Sequence, residues 1–287
     1  MSAVKNLLDL LELEHLDDDR YIASAKEYGW KRIFGGLIVA QAIIAAYKTI
    51  DNRYLHSLHC YFLRAGDPNI PIEYDVEKLR DGKSFGQRII SAYQNKHLIF
   101  YMIASFHKDE IGLSHQIDFP EDIKNPSKLS SEIEILDQIF KKSPENIRDT
   151  RDRERPIEFR PIEPRNMVNP KKEPPKQLLW LRLAEKADID RILNQALLAY
   201  ASDYTILDTA LMPHGISIFQ RNIQVASLDH SMWFHRDFDI NQWILYNQSS
   251  SNTFGNRGFA QGSMYSQDGT LLASVSQEGM IRLLPNN

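Results

Sequence analysis

One cysteine, Cys60, stands in a chain of 287 residues. Intrachain disulfides are therefore excluded, and a reducing, cytoplasmic compartment fits. No apolar run reaches the roughly 18 residues that a membrane helix needs, so no membrane span is expected. Basic excess is missing too. A net charge of -4 argues against nucleic-acid binding, which draws on a concentrated basic surface. The N-terminus carries Leu7, Leu8, Leu10, Leu11 and Leu13, but Asp9, Glu12 and Glu14 interrupt it and no small-residue cleavage site follows. It reads as a short amphipathic helix over Met1–Glu14 rather than a signal peptide. The ending Leu283-Leu284-Pro285-Asn286-Asn287 is not a peroxisomal address. HExxH spacing is absent, and His56 and His59, three apart on a strand, face opposite sides, so no metal is expected.

What is present is a soluble globular composition, 43% hydrophobic and 25% charged. Gly35-Gly36 opens an apolar run, Leu37–Tyr47, whose four alanines make a narrow helix that a sheet can approach closely. A short strand, Arg20–Ala25, precedes it. Strand-like runs follow at His56–Leu63, Ile72–Leu79, Gln87–Tyr93 and Leu98–Phe106. Between Glu121 and Pro175 charges and prolines crowd, with a capping box at Ser131-x-x-Glu134 whose helix Pro144 stops by about Lys142. The second half reads as strand Gln177–Leu183, helix Ile189–Ser202, a loop at Pro213-His214-Gly215, and strands Val225–His235, Trp243–Ser249, Arg257–Ser266 and Thr270–Leu284. Asp268-Gly269 marks a hairpin turn between the last two. Helix first, then several antiparallel strands, gives an α+β class. The organisation is residues 1–120, a connection 121–175, and residues 176–287.

The halves echo each other. Gln41-Ala42 matches Gln195-Ala196, and His56-Ser57 matches His230-Ser231. Ser84-Phe85-Gly86-Gln87-Arg88 matches Thr253-Phe254-Gly255-Asn256-Arg257. The order is kept and the spacings differ, which reads as a diverged duplication of one helix-plus-sheet unit.

The polar stretch Val225–Arg236 concentrates the candidate chemistry. Asp229-His230-Ser231 resembles a triad written consecutively, but side chains on a strand alternate faces, so His230 points away from both neighbours and reads as a hydrogen-bonded strand histidine. Gly82-Lys83-Ser84-Phe85-Gly86 matches a nucleophile elbow, which needs a strand-to-helix turn; a strand follows here instead. Cys60 reads as a small buried apolar residue. Asp203 follows a helix, where the dipole opposes an acid; a site role competes with loop capping. From the residues alone Ser227 reads more readily as an ordinary strand hydroxyl, and Gln277 as a solvated strand amide, than as site residues.

Several segments together carry a family likeness: Phe34-Gly35-Gly36 through Gln41-Ala42, Tyr61–Asp67, Leu79–Phe85, Tyr200-Ala201-Ser202-Asp203, Leu228–His235 and Val275–Gly279. On these the chain resembles the acyl-CoA thioesterase II family of TesB-type enzymes along nearly its whole length. The resemblance implies a double hotdog fold, two antiparallel sheets each around a long helix. It implies hydrolysis of acyl-CoA to free CoA and a carboxylate, with an aspartate, a threonine or serine, and a glutamine holding a water. By motif these are Asp203, Ser227 and Gln277. Serine at the middle position departs from the common bacterial threonine. It keeps the hydroxyl and loses the methyl that restricts its rotamer. A thioester carbonyl needs only modest activation of water, so no metal or redox cofactor is required. Gly36 at a helix N-terminus is expected to meet the oxyanion, and Lys83, Arg88 and Arg257 are expected CoA contacts on charge. A homodimer or homotetramer is expected. The competing readings are an α/β-hydrolase esterase using Ser84 and a non-catalytic acyl-CoA-binding module.

Overall fold

A computed structural model gives the fold and describes residues 2–26, 32–140 and 153–285. Helix α1 (Ala3–Leu10) starts on the Ser2 side chain, which accepts the Lys5 amide. It is shorter than the leucine run suggests. Its last residues are taken by an antiparallel hairpin of β1 (Glu14–Asp17) and β2 (Arg20–Ala23), which turns through Asp18 at positive φ. Then come α2 (Gly35–Tyr47), β3 (Tyr54–Phe62), β4 (Ile72–Asp81), β5 (Phe85–Gln94) and β6 (His97–His107), all near their expected places.

The connection holds α3 (Glu132–Phe140) and β7 (Ile157–Pro161). The capping box forms as expected. Ser131 N–H donates to Glu134 Oε2 at 2.8 Å, and Glu134 N–H donates to Ser131 Oγ at 3.3 Å. The expected stop at Lys142 lies outside the described residues. The segment is not only a surface connection, because β7 pairs with the next strand, β8 (Lys176–Leu183), and buries Ile157 and Phe159. Alternation of these two apolar residues drives the pairing, and an edge strand tolerates Pro161 at its end.

The rest is α4 (Arg191–Ser202), α5 (Asp208–Leu211), β9 (Ile223–Ser227), β10 (Asp229–Phe234), β11 (Ile244–Phe254), β12 (Arg257–Ser266) and β13 (Leu271–Leu283). Where a loop was expected near Pro213, α5 runs into a 3₁₀ turn, Met212–His214, that ends on Gly215 at φ 65°. The expected single strand Val225–His235 is broken between β9 and β10.

All strands of the described residues join one antiparallel sheet in the order β1-β2-β4-β5-β6-β3-β10-β13-β12-β11-β8-β7, with β9 also on β13. The seam between halves is the β3–β10 pair, where Leu58 faces Met232. Outward from it the order β3-β6-β5-β4-β2 repeats as β10-β13-β12-β11-β8. Among these five strands each half has one before its helix and four after it, in the same spatial order. Helices α2 and α4 pack on each other, and α2 also lies on β4, β5 and β6. This explains why α2 has no polar stripe: Gly36 to Ile43 are all buried. Among the described residues no helix is long and apolar enough to cross a membrane.

Candidate active site

Asp203 is the C-cap of α4, a position that the helix dipole disfavours for an acid. The structure answers this with a second helix. The α4 C-terminus abuts the α2 N-terminus so closely that a Cβ on Gly36 would fall 2.5 Å from the Tyr200 carbonyl oxygen. A Cβ on Gly35 would fall 2.8 Å from Asp203 Oδ2. Only glycine leaves room at either place. The Gly36 amide, expected at an oxyanion, is directed at the Asp203 carboxylate instead. The positive end of α2 therefore offsets the negative end of α4.

Ser227 ends β9 and Gln277 lies in the middle of β13. Their meeting depends on a bulge. Ser227 is opposite Gly279, and Ser231 is opposite Ser276. The chain thus takes four steps on one side against three on the other, with Leu228 at the break. One extra residue flips the facing of everything beyond it. Ser227 and His230, three apart, consequently point to the same interior face, and both reach Gln277. Asp229 stabilises the bulge: its Oδ1 accepts the Glu278 amide at 2.8 Å. Ser231 turns outward to His59 at 3.0 Å. The consecutive triad is absent, as strand geometry predicts, and His230 is the hydrogen-bonded strand histidine expected, with the bulge adding Gln277 as its partner.

The centre is a hydrogen-bonded triangle. Ser227 Oγ–H donates to Asp203 Oδ1 at 2.9 Å. Gln277 Nε2 donates to Asp203 Oδ1 and to Ser227 Oγ, each at 2.9 Å. Behind it, Gln277 Oε1 meets His230 Nδ1, and His230 Nε2 lies 2.9 Å from Ser202 Oγ. Gln277, His230 and Ser202 are fully buried, and Asp203 nearly so. Burial pushes the Asp203 carboxyl above the ordinary carboxylate range. The charge of His230 and the hydrogen bonds from Gln277, Ser227 and Gly36 oppose that rise.

Asp203 and Ser227 lie on the wall of a cavity of about 920 Å³, which Ile33, Ile38, Leu207 and Ile223 make largely apolar. A second acid, Asp208, shares the wall, and burial pushes its carboxyl up to about 7 against the pull of Arg165. Among the described residues the cations on this wall are Arg32 and Arg64. The three expected CoA contacts are elsewhere. Lys83 is exposed in the turn between β4 and β5. Arg88 is 1% exposed, and its guanidinium is consumed by Thr49, Asp81 and backbone carbonyls. Arg257 is exposed and pairs with Glu278 at 3.0 Å. Ser84 lies in the same strand-to-strand turn and donates to Glu110 at 2.7 Å, so no elbow forms there. Cys60 is buried, and burial raises its thiol pKa well above the ordinary value.

Sequence reasoning missed the contact of His230 with Gln277, and it missed Ser202, Arg32 and Arg64. For His230 a signal existed. Ile223 and Val225 are apolar at odd positions, whereas Met232 and Phe234 are apolar at even ones. Such a phase flip requires a bulge between them.

Comparison with known proteins matches this architecture. Residues 147–280 match the family model described as acyl-CoA thioesterase, and residues 26–107 match its N-terminal domain. The chain is 41% identical over 280 residues to acyl-CoA thioesterase 2 of Haemophilus influenzae, covering 97% of this chain and 98% of that one. It is 37% identical to human acyl-coenzyme A thioesterase 8, covering 96% and 88%. The crystal structure of an acyl-CoA thioesterase II, TesB2, from Mycobacterium marinum superposes with a TM-score of 0.79 at 35% identity, covering 96% and 98%. A hot dog fold protein from Alicyclobacillus acidocaldarius, at 16% identity and a TM-score of 0.77, supports the fold alone. With its two halves, its paired helices and its near full-length identity to these relatives, the chain belongs to the acyl-CoA thioesterase family, of the TesB type.

Proposed function

We propose that this chain hydrolyses acyl-CoA thioesters to free CoA and a carboxylate. The observation that carries this is the convergence of Ser227 and Gln277 on one oxygen of Asp203 at a cavity wall. In this reading Asp203 is the general base. A water oxygen bonds to the thioester carbonyl carbon while its proton moves to Asp203 and the carbonyl electron pair moves onto oxygen. The tetrahedral species then collapses, the C–S bond breaks, and the departing sulfur takes the proton from Asp203. A carboxyl pushed upward by burial suits this role, because a base is best matched when its pKa approaches the working pH. Ser227 orients the water, and Gln277 orients Ser227 and the carboxylate. Gly36, at the α2 N-terminus, acts on the Asp203 charge.

The apolar cavity wall suits the acyl chain, and Arg32 and Arg64 suit the phosphates of CoA. The same proposal takes residues 1–120 and 176–287 as the two repeats of a double hotdog, each sheet half around its own helix, with 121–175 between them. Tyr61 and Ile103, exposed on neighbouring strands, favour assembly into a homodimer or homotetramer through the sheet.

Free-thiol release from acyl-CoAs of varied chain length, measured on the wild type and on Asp203→Asn, tests the reading. Release by the wild type and loss in the variant are expected. Tight binding of acyl-CoA without thiol release would favour a binding module instead. An acyl group trapped on Ser227 and found by mass spectrometry would replace water with serine as the nucleophile.

A further inference from the structure

We infer that His230 is a positioning residue for this reaction: it holds the Gln277 amide in the one orientation that serves both Asp203 and Ser227. The inference rests on the proposed role of that trio.

A glutamine amide has two orientations of nearly equal shape and opposite chemistry. In the one seen, both Gln277 N–H groups are used, one on Asp203 Oδ1 and one on Ser227 Oγ, each at 2.9 Å. Its Oε1 is then turned back into the protein, where only a donor can meet it. His230 Nδ1 is that partner, so Nδ1 carries a proton. In the inverted orientation Oε1 would face the carboxylate oxygen and both donors would be lost.

The Asp203 carboxylate also selects the right orientation, but only while ionised. Once Asp203 has accepted the proton of water, its carboxyl can donate to Gln277 Oε1, and that selection is gone. The His230 N–H remains. It keeps the amide, and with it Ser227, in place between attack and departure of the thiol.

His230 is itself fixed. Its Nε2 lies 2.9 Å from Ser202 Oγ, and that hydroxyl is 2.8 Å from the Ala199 carbonyl oxygen at the end of α4. Ser202 and Asp203 are consecutive. The contacts therefore close a ring from Ser202 through His230 and Gln277 to Asp203, completed by the peptide bond between the first and last. All of it but the Asp203 carboxylate is out of reach of the cavity, since His230, Gln277 and Ser202 do not line it. The bulge at Leu228 is what turns His230 into this ring.

The test uses two amides that each replace one ring nitrogen. The asparagine side-chain nitrogen falls near the place of Nδ1, and the glutamine nitrogen near that of Nε2. In the full-length protein, His230→Asn is expected to keep kcat for acyl-CoA thiol release within about threefold of wild type. His230→Gln is expected to lower kcat at least about tenfold, the scale of one lost oriented hydrogen bond beside a charge. KM is expected to stay within about threefold in both, since His230 does not touch the cavity. Rates are referred to the folded fraction from thermal unfolding. Equal kcat in the two variants, or a higher kcat in His230→Gln, overturns the inference. If either variant does not fold, Ser202→Ala takes its place: a fall in kcat at unchanged KM supports the ring, and wild-type kcat overturns it. Asp203→Asn in the same assay separates the two levels. Native turnover there removes the reading of the trio, whereas its loss alongside equal histidine variants removes only the inference about His230.

Discussion

Just past the end of α2, Thr49 receives the Arg88 guanidinium on both its hydroxyl, at 2.9 Å, and its carbonyl oxygen, at 2.8 Å. At the end of α4, Asp203 receives Ser227 and Gln277. These are the corresponding ends of the duplicated helices, and in both a polar group from the sheet meets the helix terminus. The difference lies in what is left over. Arg88 also binds Asp81 and the Gln87 carbonyl, so the first end is sealed by a cation with its donors consumed. Arg257, its counterpart in the sequence echo, is swung out to Glu278 on the surface. The second end keeps an acid with a cavity in front of it. Opposite the site, where the α4 N-terminus meets the first half, Arg191 lies over Tyr54 and pairs with Asp109 and Asp237, both at 2.6 Å. The first copy thus closes the C-terminal end of its helix with an ion pair, while the second closes the N-terminal end of its helix that way and leaves the C-terminal end open for chemistry.

Asp203→Asn gives the largest effect and breaks the comparison at its functional end. Its kcat is expected to fall at least about 100-fold, the scale of a lost general base. The same change is expected to raise the melting temperature at neutral pH, because it removes a carboxylate that burial holds above its ordinary pKa. A variant both inactive and less stable would show that the Asp203 carboxylate supports the fold as well as turnover. Arg88→Ala attacks the sealed end. It leaves Thr49, Gln87 and Asp81 acceptors without their donor. Asp81 is half exposed, so the cost is discounted to about 2 kcal/mol of stability in denaturant titration. kcat of the folded protein is expected to stay at wild type.

The pH dependence separates the two ends further. A carboxyl with a raised folded pKa binds its proton more tightly when folded, so stability falls as pH rises through the interval between the unfolded and folded values. For Asp208 that interval runs from 3.8 to about 7. Asp208→Asn is therefore expected to stabilise the protein above pH 7 and to lose that advantage by about pH 4, measured as melting temperature across the range. No gain at pH 8 would show that the Asp208 charge is compensated. Arg191→Ala has the smallest effect. Asp109 and Asp237 are mostly exposed, and such pairs contribute about 1 kcal/mol or less, so a small stability loss and unchanged turnover are expected.

Much of this was legible beforehand. The helices α2 and α4 announce themselves by long apolar runs, and most strands by alternation and turn residues. The trio of Asp203, Ser227 and Gln277 came from motif resemblance, and the structure brings all three within hydrogen-bonding distance. The cations chosen on charge, Lys83, Arg88 and Arg257, do not line the cavity. Arg88 was expected to meet CoA on charge alone, but Thr49 and Asp81 offer it enough acceptors to be buried. Alternation correctly separated His230 from Asp229 and Ser231, but it did not show that His230 and Ser227 meet at Gln277, because a bulge lies between them. The strand β7 was hidden among prolines, because its pairing partner β8 lies beyond the proline-rich run.

What the sequence determines by itself is local and periodic: which segments are helix or strand, that one unit occurs twice, and which residue types the family motif supplies. The first follows from burial patterns that repeat every two or 3.6 residues, the second from the echoed segments, and the third from the family resemblance. The tertiary structure decides everything that depends on register. A single extra residue at Leu228 places Ser227 and His230 on one face. Two glycines let α2 come close enough to answer the dipole of α4 at Asp203. A one-residue shift or a missing Cβ barely alters a sequence pattern, yet it decides which side chains share a hydrogen bond, because those bonds fail beyond about 3.5 Å.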